Sequence, residues 1–224
     1  FENALALAQK LGYAERNPEA DVEGYDTCRK IAILTAMATG KEVDYEDIYT
    51  EGITKITDVD FKYAEKMSAS VKLLGTSVME GDQVRAYVAP MLIHKESPLY
   101  SVNSVYNGIM VKGNMLGASM FYGSGAGKLP TGSAVVADII EAAQNLKHNV
   151  PIGWTEEKQA IVPMDQGQFR YFVRAAGSFK NKEADVKSLF GEVQVIELEG
   201  MDEFAFLTEV MTEAAFKKAA ADYD

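Results

Sequence analysis

The period of the apolar pattern changes near residue 70, and this restricts the chain to an α+β architecture. Upstream the pattern is helical. Residues 2–11 are rich in strong helix formers, with Leu5, Ala8 and Leu11 on one face and Gly12 as a stop. Over 26–39, Ile31, Leu34 and Ala38 form a stripe that Ala32, Ala36 and Met37 widen, which predicts a helix buried on most sides. A short helix is expected at 45–49. Another is expected to open at Thr57, a capping residue followed by Asp58 and Asp60, where the helix dipole favours acids, and to run to about 69. Downstream the period is two. Residues 71–79 and 83–92 predict a hairpin around Gly81-Asp82, and 106–111 with 115–122 predict a second around Gly113-Asn114. A helix is expected from 131 to 146. Helices, then antiparallel strands, then a helix give a layered domain over 1–149 with a mixed or antiparallel sheet.

Val150-Pro151-Ile152-Gly153-Trp154, with Pro163 and Gly167, predicts a linker over 150–169. Residues 170–224 then form a smaller unit. Its expected elements are a strand at 170–175, a helix at 182–190, strands at 193–199 and 203–211, and a helix at 212–222. The order βαββα lacks one strand of a split βαβ sheet, so the unit is expected to be incomplete. The first residues read as a helix already under way, which predicts that the 224 residues are part of a longer chain.

Charge and composition remove several classes of function. The formal net charge is −11, and no run of Lys and Arg exceeds two, which argues against a nucleic-acid surface. The apolar runs are too short to span a bilayer. The single cysteine, Cys28, excludes an internal disulfide and fits a reducing, cytoplasmic compartment. Cys28 is expected to be a buried helix residue, since a catalytic thiolate wants a histidine that its sequence neighbours do not supply. His94 and His148 lie far apart and in no metal-ligand spacing. Met110, Met115 and Met120 read as core.

Ionisable groups concentrate in Gly12–Lys30, which holds five carboxylates with breaks at Pro18 and Gly24. It reads as an acidic turn handing over to a helix, with Asp26 and Lys30 one turn apart on the same face. Such a pair can be a simple intrahelical ion pair. It can also be half of a site, since a turn at Pro18 and Gly24 could fold Glu15 and Asp21 back over the helix start. A lysine beside carboxylates can donate a proton or stabilise a developing alkoxide. Gly123-Ser124-Gly125-Ala126-Gly127, between a strand and a helix, allows backbone to approach a ligand closely, or a helix to pack closely on a strand. It is not a dinucleotide fingerprint, because Lys128 breaks the glycine spacing and no parallel strand with a ribose-binding acid follows.

The stretch Gly12-Tyr13-Ala14-Glu15, with Pro18, Asp21, Gly24, Asp26 and Arg29-Lys30, resembles homoserine dehydrogenase. Glu51-Gly52-Ile53 with Ile56, and Gly125-Ala126-Gly127 with Pro130-Thr131, Ser133-Ala134-Val135 and Asp138, agree with it. The resemblance spans about 1–147. It implies an NADP- or NAD-dependent oxidoreductase of amino-acid biosynthesis that interconverts L-aspartate 4-semialdehyde and L-homoserine. It implies that Lys30 is the acid/base residue and that Asp26 and Glu15 contact the substrate, Glu15 near its amino group and the cofactor. Gly12 and Gly127 would line the cofactor site, and Asp21 would support the substrate side. No metal is implied.

The family places a Rossmann domain and a further catalytic lysine before this region. Neither is found in the 224 residues, so the stretch alone is expected to be inactive. Residues 170–224 look like an ACT domain, which implies a threonine effector, although Ala176-Gly177-Ser178-Phe179 replaces the usual Asp-x-Pro-Gly turn. The family also implies a homodimer or tetramer. The alternative is a non-enzymatic amino-acid-sensing or oligomerisation module, and a third reading is a structural α+β domain with a solvated acidic loop.

Overall fold

A computed structural model describes residues 2–14 and 16–223. The first part of the chain holds α1 (Glu2–Leu11), α2 (Glu19–Val22), α3 (Tyr25–Thr39), β1 (Lys41–Glu42), β2 (Tyr49–Thr50) and α4 (Asp58–Lys66). The long hairpin of β3 (Ala69–Glu80) and β4 (Gln83–His94) follows, then β5 (Tyr106–Gly113), β6 (Gly117–Ser124) and α5 (Lys128–Gln144). The remainder holds β7 (Thr155–Lys158), β8 (Gln168–Phe169), β9 (Phe172–Ala176), α6 (Phe179–Phe190), β10 (Val193–Glu197), β11 (Glu203–Thr208), β12 (Met211–Thr212) and α7 (Glu213–Ala221). The fold is α+β, as the change of period predicts.

Strands β3 and β4 pair antiparallel without a slip from Ala69–His94 to Glu80–Gln83, and β2 adds parallel to β4. Helix α3 lies on this sheet. Small residues let it come close: Cys28, Ala32, Thr35 and Ala36 are buried, and Cys28, Ala32, Ile48, Ala86 and Val88 share one core cluster. A Cβ on Gly75 of β3 would stand 3.0 Å from both Ile31 Cβ and Thr27 Cγ2, so the missing side chain sets how near helix and sheet can lie. The expected stripe of α3 is therefore rotated. Ile33 and Met37 are exposed, and the helix buries one face rather than most of its circumference. The sequence reading erred because alanine is apolar enough to suit either side.

The hairpin of β5 and β6 forms in the expected place, in register from Tyr106–Ser124 to Gly113–Gly117. Two of its three methionines are not core, while Met120 is half-buried. Met115 is 93 % exposed and Met110 is also exposed, because among the described residues these two strands pair only with each other. Helix α5 starts at Lys128, three residues earlier than expected, with Gly127 before it. Its Leu129, Val135, Val136, Ile139 and Ile140 face solvent.

The segment 150–169 is not the free linker its prolines and glycines suggest. Strand β7 pairs parallel with β1, Val162 N–H donates to the Val84 carbonyl at 2.8 Å, and β8 pairs with β12. One short segment is thus hydrogen-bonded to both halves of the chain. Alternating polar residues such as Glu156 and Lys158 hide this, since edge pairing needs backbone groups rather than apolar side chains.

In the C-terminal unit β11 lies between β10 and β9, antiparallel to both. The side-chain alternation of β11 serves two layers. Phe204 and Phe206 point to α6 and α7, where they meet Val186, Phe190 and Ala219. Ala205 and Leu207 point to the opposite side, where Tyr63, Val59 and Met67 in and beside α4 cover the sheet. A helix from the first half of the chain therefore covers the face that the C-terminal helices leave open. The expected strand 203–211 breaks after Thr208, whose buried hydroxyl accepts from Tyr171 N–H at 3.0 Å and donates to the Glu209 carbonyl at 2.7 Å.

Arg174 of β9 joins these layers. Its Nε and Nη2 donate to the two carboxylate oxygens of Glu203 at 3.2 and 2.9 Å, and Nη1 donates to Asp60 Oδ1 at 3.0 Å and Thr57 Oγ1 at 2.9 Å. Asp60 Oδ2 in turn accepts from Thr57 N–H at 2.7 Å at the start of α4. Burial pushes the Asp60 carboxyl up, but the Thr57 hydrogen bonds and Arg174 outweigh it and hold it below the ordinary carboxylate range.

Candidate active site

The acidic turn becomes two helices separated by a glycine. Asn17 Oδ1 accepts from Glu19 N–H at 3.3 Å where α2 begins. At Gly24 the chain takes φ +80°, a left-handed conformation that favours glycine. The Gly24 carbonyl accepts from Cys28 N–H at 2.9 Å and starts α3. Gly24 is buried. A Cβ there would lie 3.2 Å from Val88 Cγ1 and 3.3 Å from Thr50 Cγ2, so the start of α3 sits directly on the edge of the central sheet.

Asp26 and Lys30 project from the far side of α3. Lys30 Nζ donates to Asp26 Oδ2 at 2.6 Å, and the two side chains are 44 % (Asp26) and 66 % (Lys30) exposed. This is the expected i,i+4 pair. Its stabilising effect is small, about 0.3 kcal/mol for such pairs on exposed helices. Both groups remain able to meet a ligand: an ammonium held by a carboxylate on an open helix face can supply a proton to an oxygen placed against it, and the amine so formed can take one back. Asp21, in α2, is exposed on the preceding turn. Glu15 lies outside the described residues.

The Tyr13 ring, next to Gly12 in sequence, reaches Gly127. Gly12 ends α1 with φ +75°, and a Cβ there would meet nothing within 4 Å. The next residue, Tyr13, places Cε1 3.9 Å from where a Cβ of Gly127 would stand. Gly127 has φ +108° and precedes α5, and its carbonyl accepts from Thr131 N–H at 3.1 Å. Gly12 is exposed and Gly127 half-buried, and backbone without a Cβ at either position allows the close approach of a ring or a phosphate. Gly125 differs. A Cβ there would fall 2.4 Å from Asn107 Nδ2, so its missing side chain is filled by Asn107 of β5. Of the open and packed readings of the glycine loop, Gly127 fits the first and Gly125 the second.

The sequence reading missed three contributors. Tyr13 reaches Gly127, Asn107 props the glycine loop, and Thr50-Glu51-Gly52 wedges against the turn below Asp26. A Cβ on Gly52 would stand 2.3 Å from the Val22 carbonyl oxygen, and Ile53 N–H donates to that same oxygen at 2.8 Å. Tyr13, within Gly12-Tyr13-Ala14-Glu15, and the Glu51-Gly52-Ile53 string carried a signal through the resemblance, and Asn107 carried none. Tyr13 and Asn107 act across 114 and 18 residues of sequence, a separation that no local pattern reports.

Among the described residues, no group of His, Cys, Asp and Glu is arranged to hold a metal ion. Two open surface cavities lie elsewhere. One of about 280 Å³ is lined by Lys182, Asp185 and Tyr223, and one of about 400 Å³ by Lys62, Lys66 and Met201. The Asp26–Lys30 face borders neither.

The family model for homoserine dehydrogenase matches residues 1–140. A homoserine dehydrogenase of Helicobacter pylori is 39 % identical over 197 residues, covering 88 % of this chain and 45 % of that protein. The crystal structure of a homoserine dehydrogenase from Thiobacillus denitrificans superimposes with a TM-score of 0.86 at 31 % identity, over 99 % of this chain and 54 % of that one. A hyperthermophilic archaeal homoserine dehydrogenase, described in complex with NADPH, matches with a TM-score of 0.50 at 29 % identity, over 64 % of this chain and 40 % of that one. The chain spans about half the length of the curated relatives it matches.

Proposed function

The chain belongs to the homoserine dehydrogenase family, and from that premise we propose that it supplies the substrate side of an enzyme interconverting L-aspartate 4-semialdehyde and L-homoserine with NADP or NAD. The observation that carries this reading is the Asp26–Lys30 pair. It is bonded at 2.6 Å, open to solvent, and fixed on a helix whose start is packed against the sheet. Lys30 is the acid/base residue that moves the proton of the substrate hydroxyl, and Asp26 orients it and contacts the substrate. Glu15, by its place in the matched string, takes the substrate ammonium, and Asp21 supports that side. The dinucleotide, when bound, accepts or delivers the hydride. Gly12, Glu15 and Gly127 are the residues of this chain assigned to it, and the Cβ-free backbone at the two glycines is compatible with that role. Groups that read the cofactor's ribose are assigned to the part of the relatives that this chain does not span. Turnover therefore needs the full-length protein, and the 224 residues alone are expected to give none.

The exposed apolar surface of the β5–β6 hairpin supports assembly into a homodimer or tetramer. The C-terminal βαββα order supports an ACT-like unit with threonine as effector, although Gly177, at φ +82°, stands in a turn without the usual Asp-x-Pro-Gly. No described helix is long and apolar enough to cross a membrane, and with one buried free cysteine this supports a cytoplasmic location. Titration calorimetry with threonine and sedimentation velocity test the two assembly claims. An absence of heat removes the effector, and a monomer alone removes the dimer.

The decisive experiment is Lys30→Ala in the full-length protein. The expected result is a fall in kcat of roughly 10²–10⁴-fold, the usual contribution of a positioned acid/base group, with the fold intact by circular dichroism. Unchanged turnover removes Lys30 from the mechanism.

A further inference from the structure

A chain of contacts connects α7 to the turn from which Asp26 projects. Glu213, the first residue of α7, is 5 % exposed, and its N–H donates to the Gly167 carbonyl at 3.2 Å. Its Oε1 accepts from Lys217 Nζ at 2.8 Å, and that ammonium stands 6.0 Å from the centre of the Tyr49 ring. The Tyr49 hydroxyl donates to Glu51 Oε2 at 3.1 Å. Burial first, then Glu51 and Glu213, push the Tyr49 phenol up to about 12, so it stays a proton donor at every working pH. Glu51 is itself fixed, because its N–H donates to the Val88 carbonyl at 2.8 Å. Gly52 and Ile53 then press on Val22, and Thr50 presses on Gly24, two residues before Asp26.

We infer that Tyr49 is a positioning residue for the reaction: with its ring beside the Lys217 ammonium of α7 and its hydroxyl on Glu51, it fixes the Thr50–Gly52 wedge against Gly24 and so sets the placement of Asp26 and Lys30. This rests on the reading that those two residues carry the chemistry. The wedge has little slack. The backbone at Gly52 meets the Val22 carbonyl so closely that a single methyl group would not fit. A shift of the 50–52 backbone is therefore passed to the 22–24 turn rather than absorbed. Displacements of an ångström at reacting groups cost up to about 10²-fold in rate, so a partial loosening is expected to cost less.

The test uses the full-length enzyme with Tyr49→Phe, Glu213→Gln and Lys30→Ala measured together. Tyr49→Phe removes one oxygen and keeps the ring. The expected result is a fall of about 5- to 20-fold in kcat/KM for homoserine, with the KM for the dinucleotide within about twofold. The double variant Tyr49→Phe/Glu213→Gln is expected to lose no more than the worse single variant, because both act through one contact path. Glu51→Gln, which keeps an acceptor oxygen, is expected to retain activity that Glu51→Ala loses, and this pair gives the same reading should Tyr49→Phe melt early. Unchanged kcat/KM in Tyr49→Phe overturns the inference. So does a loss shared equally between both substrates that follows the melting temperature. Wild-type behaviour of Lys30→Ala overturns the underlying functional reading instead. Loss in Lys30→Ala with none in Tyr49→Phe overturns the positioning role alone.

Discussion

Two clusters of charge, one on α3 and one between α4 and the C-terminal sheet, use the same chemistry under opposite conditions. Asp26 and Lys30 meet at 2.6 Å with side chains 44 % and 66 % exposed. Arg174, Asp60 and Glu203 meet at 2.9–3.0 Å with side chains 27, 13 and 21 % exposed. In the first, water competes for each charge, so the bond adds little to stability and either group can turn to a ligand. In the second, the guanidinium uses its planar fork on Glu203 and a remaining nitrogen on Asp60 and Thr57, so four of its five N–H donors are engaged. Bond length does not separate them. Solvent access and the number of partners do: the exposed pair stays open to a ligand, as the proposed function requires, and the enclosed one joins the two halves of the chain.

The comparison breaks most sharply at Arg174. Arg174→Ala leaves Asp60 and Glu203 facing each other without a cation in a half-buried seam. Removal of one partner from a buried pair costs about 3–5 kcal/mol, and because the seam still reaches solvent a loss near the lower bound, about 3 kcal/mol, is expected. Urea denaturation of the wild-type and Arg174→Ala chains measures it. A loss under about 1 kcal/mol, the range of exposed pairs, would make the two clusters equivalent.

A smaller effect follows from acid. The Asp60 carboxyl is held below its ordinary value in the folded chain, so above about pH 4, where the unfolded chain's aspartates ionise, it contributes its full stabilisation. As pH falls below that, the unfolded chain takes up the proton first. The contribution shrinks and is lost as pH passes through the folded value. Urea midpoints taken between pH 6 and pH 3 are therefore expected to fall more steeply for the wild type than for Asp60→Asn. Parallel curves would mean that Asp60 titrates normally.

The sequence showed the exposed pair and hid the enclosed one, for a physical reason. Asp26 and Lys30 are four residues apart on one helix, so spacing alone places them together. Arg174 meets Asp60 across 114 residues, and a lone arginine in a strand carries no sign of its partner. The same limit explains Phe204 and Ala205. Alternation predicts two faces for β11, but not that α4 would supply the second cover. It explains the segment 150–169 as well, where Thr155 and Gln168 join other strands through backbone groups that every residue has. The longer helices, both hairpins and the βαββα order were legible because each is fixed by local period and turn chemistry, whereas the four-residue α2 was read as part of the acidic turn. The Tyr13–Gly127 contact was not.

The smallest stability effect sharpens the comparison from the other side. Lys30→Ala removes an ammonium that has one partner and open solvent around it, so its loss is expected to change stability by no more than about 0.5 kcal/mol. Replacing lysine by alanine also raises helix propensity slightly, which offsets part of that loss. Urea midpoints of the two chains should therefore nearly coincide, and added salt should move them little, since little Coulombic stabilisation is there to screen. Set beside the expected collapse of turnover in the full-length protein, a near-zero change would separate function from stability at one residue. A loss above about 1.5 kcal/mol would instead make Lys30 structural, and the fall in turnover would then report a distorted α3 rather than a missing proton donor.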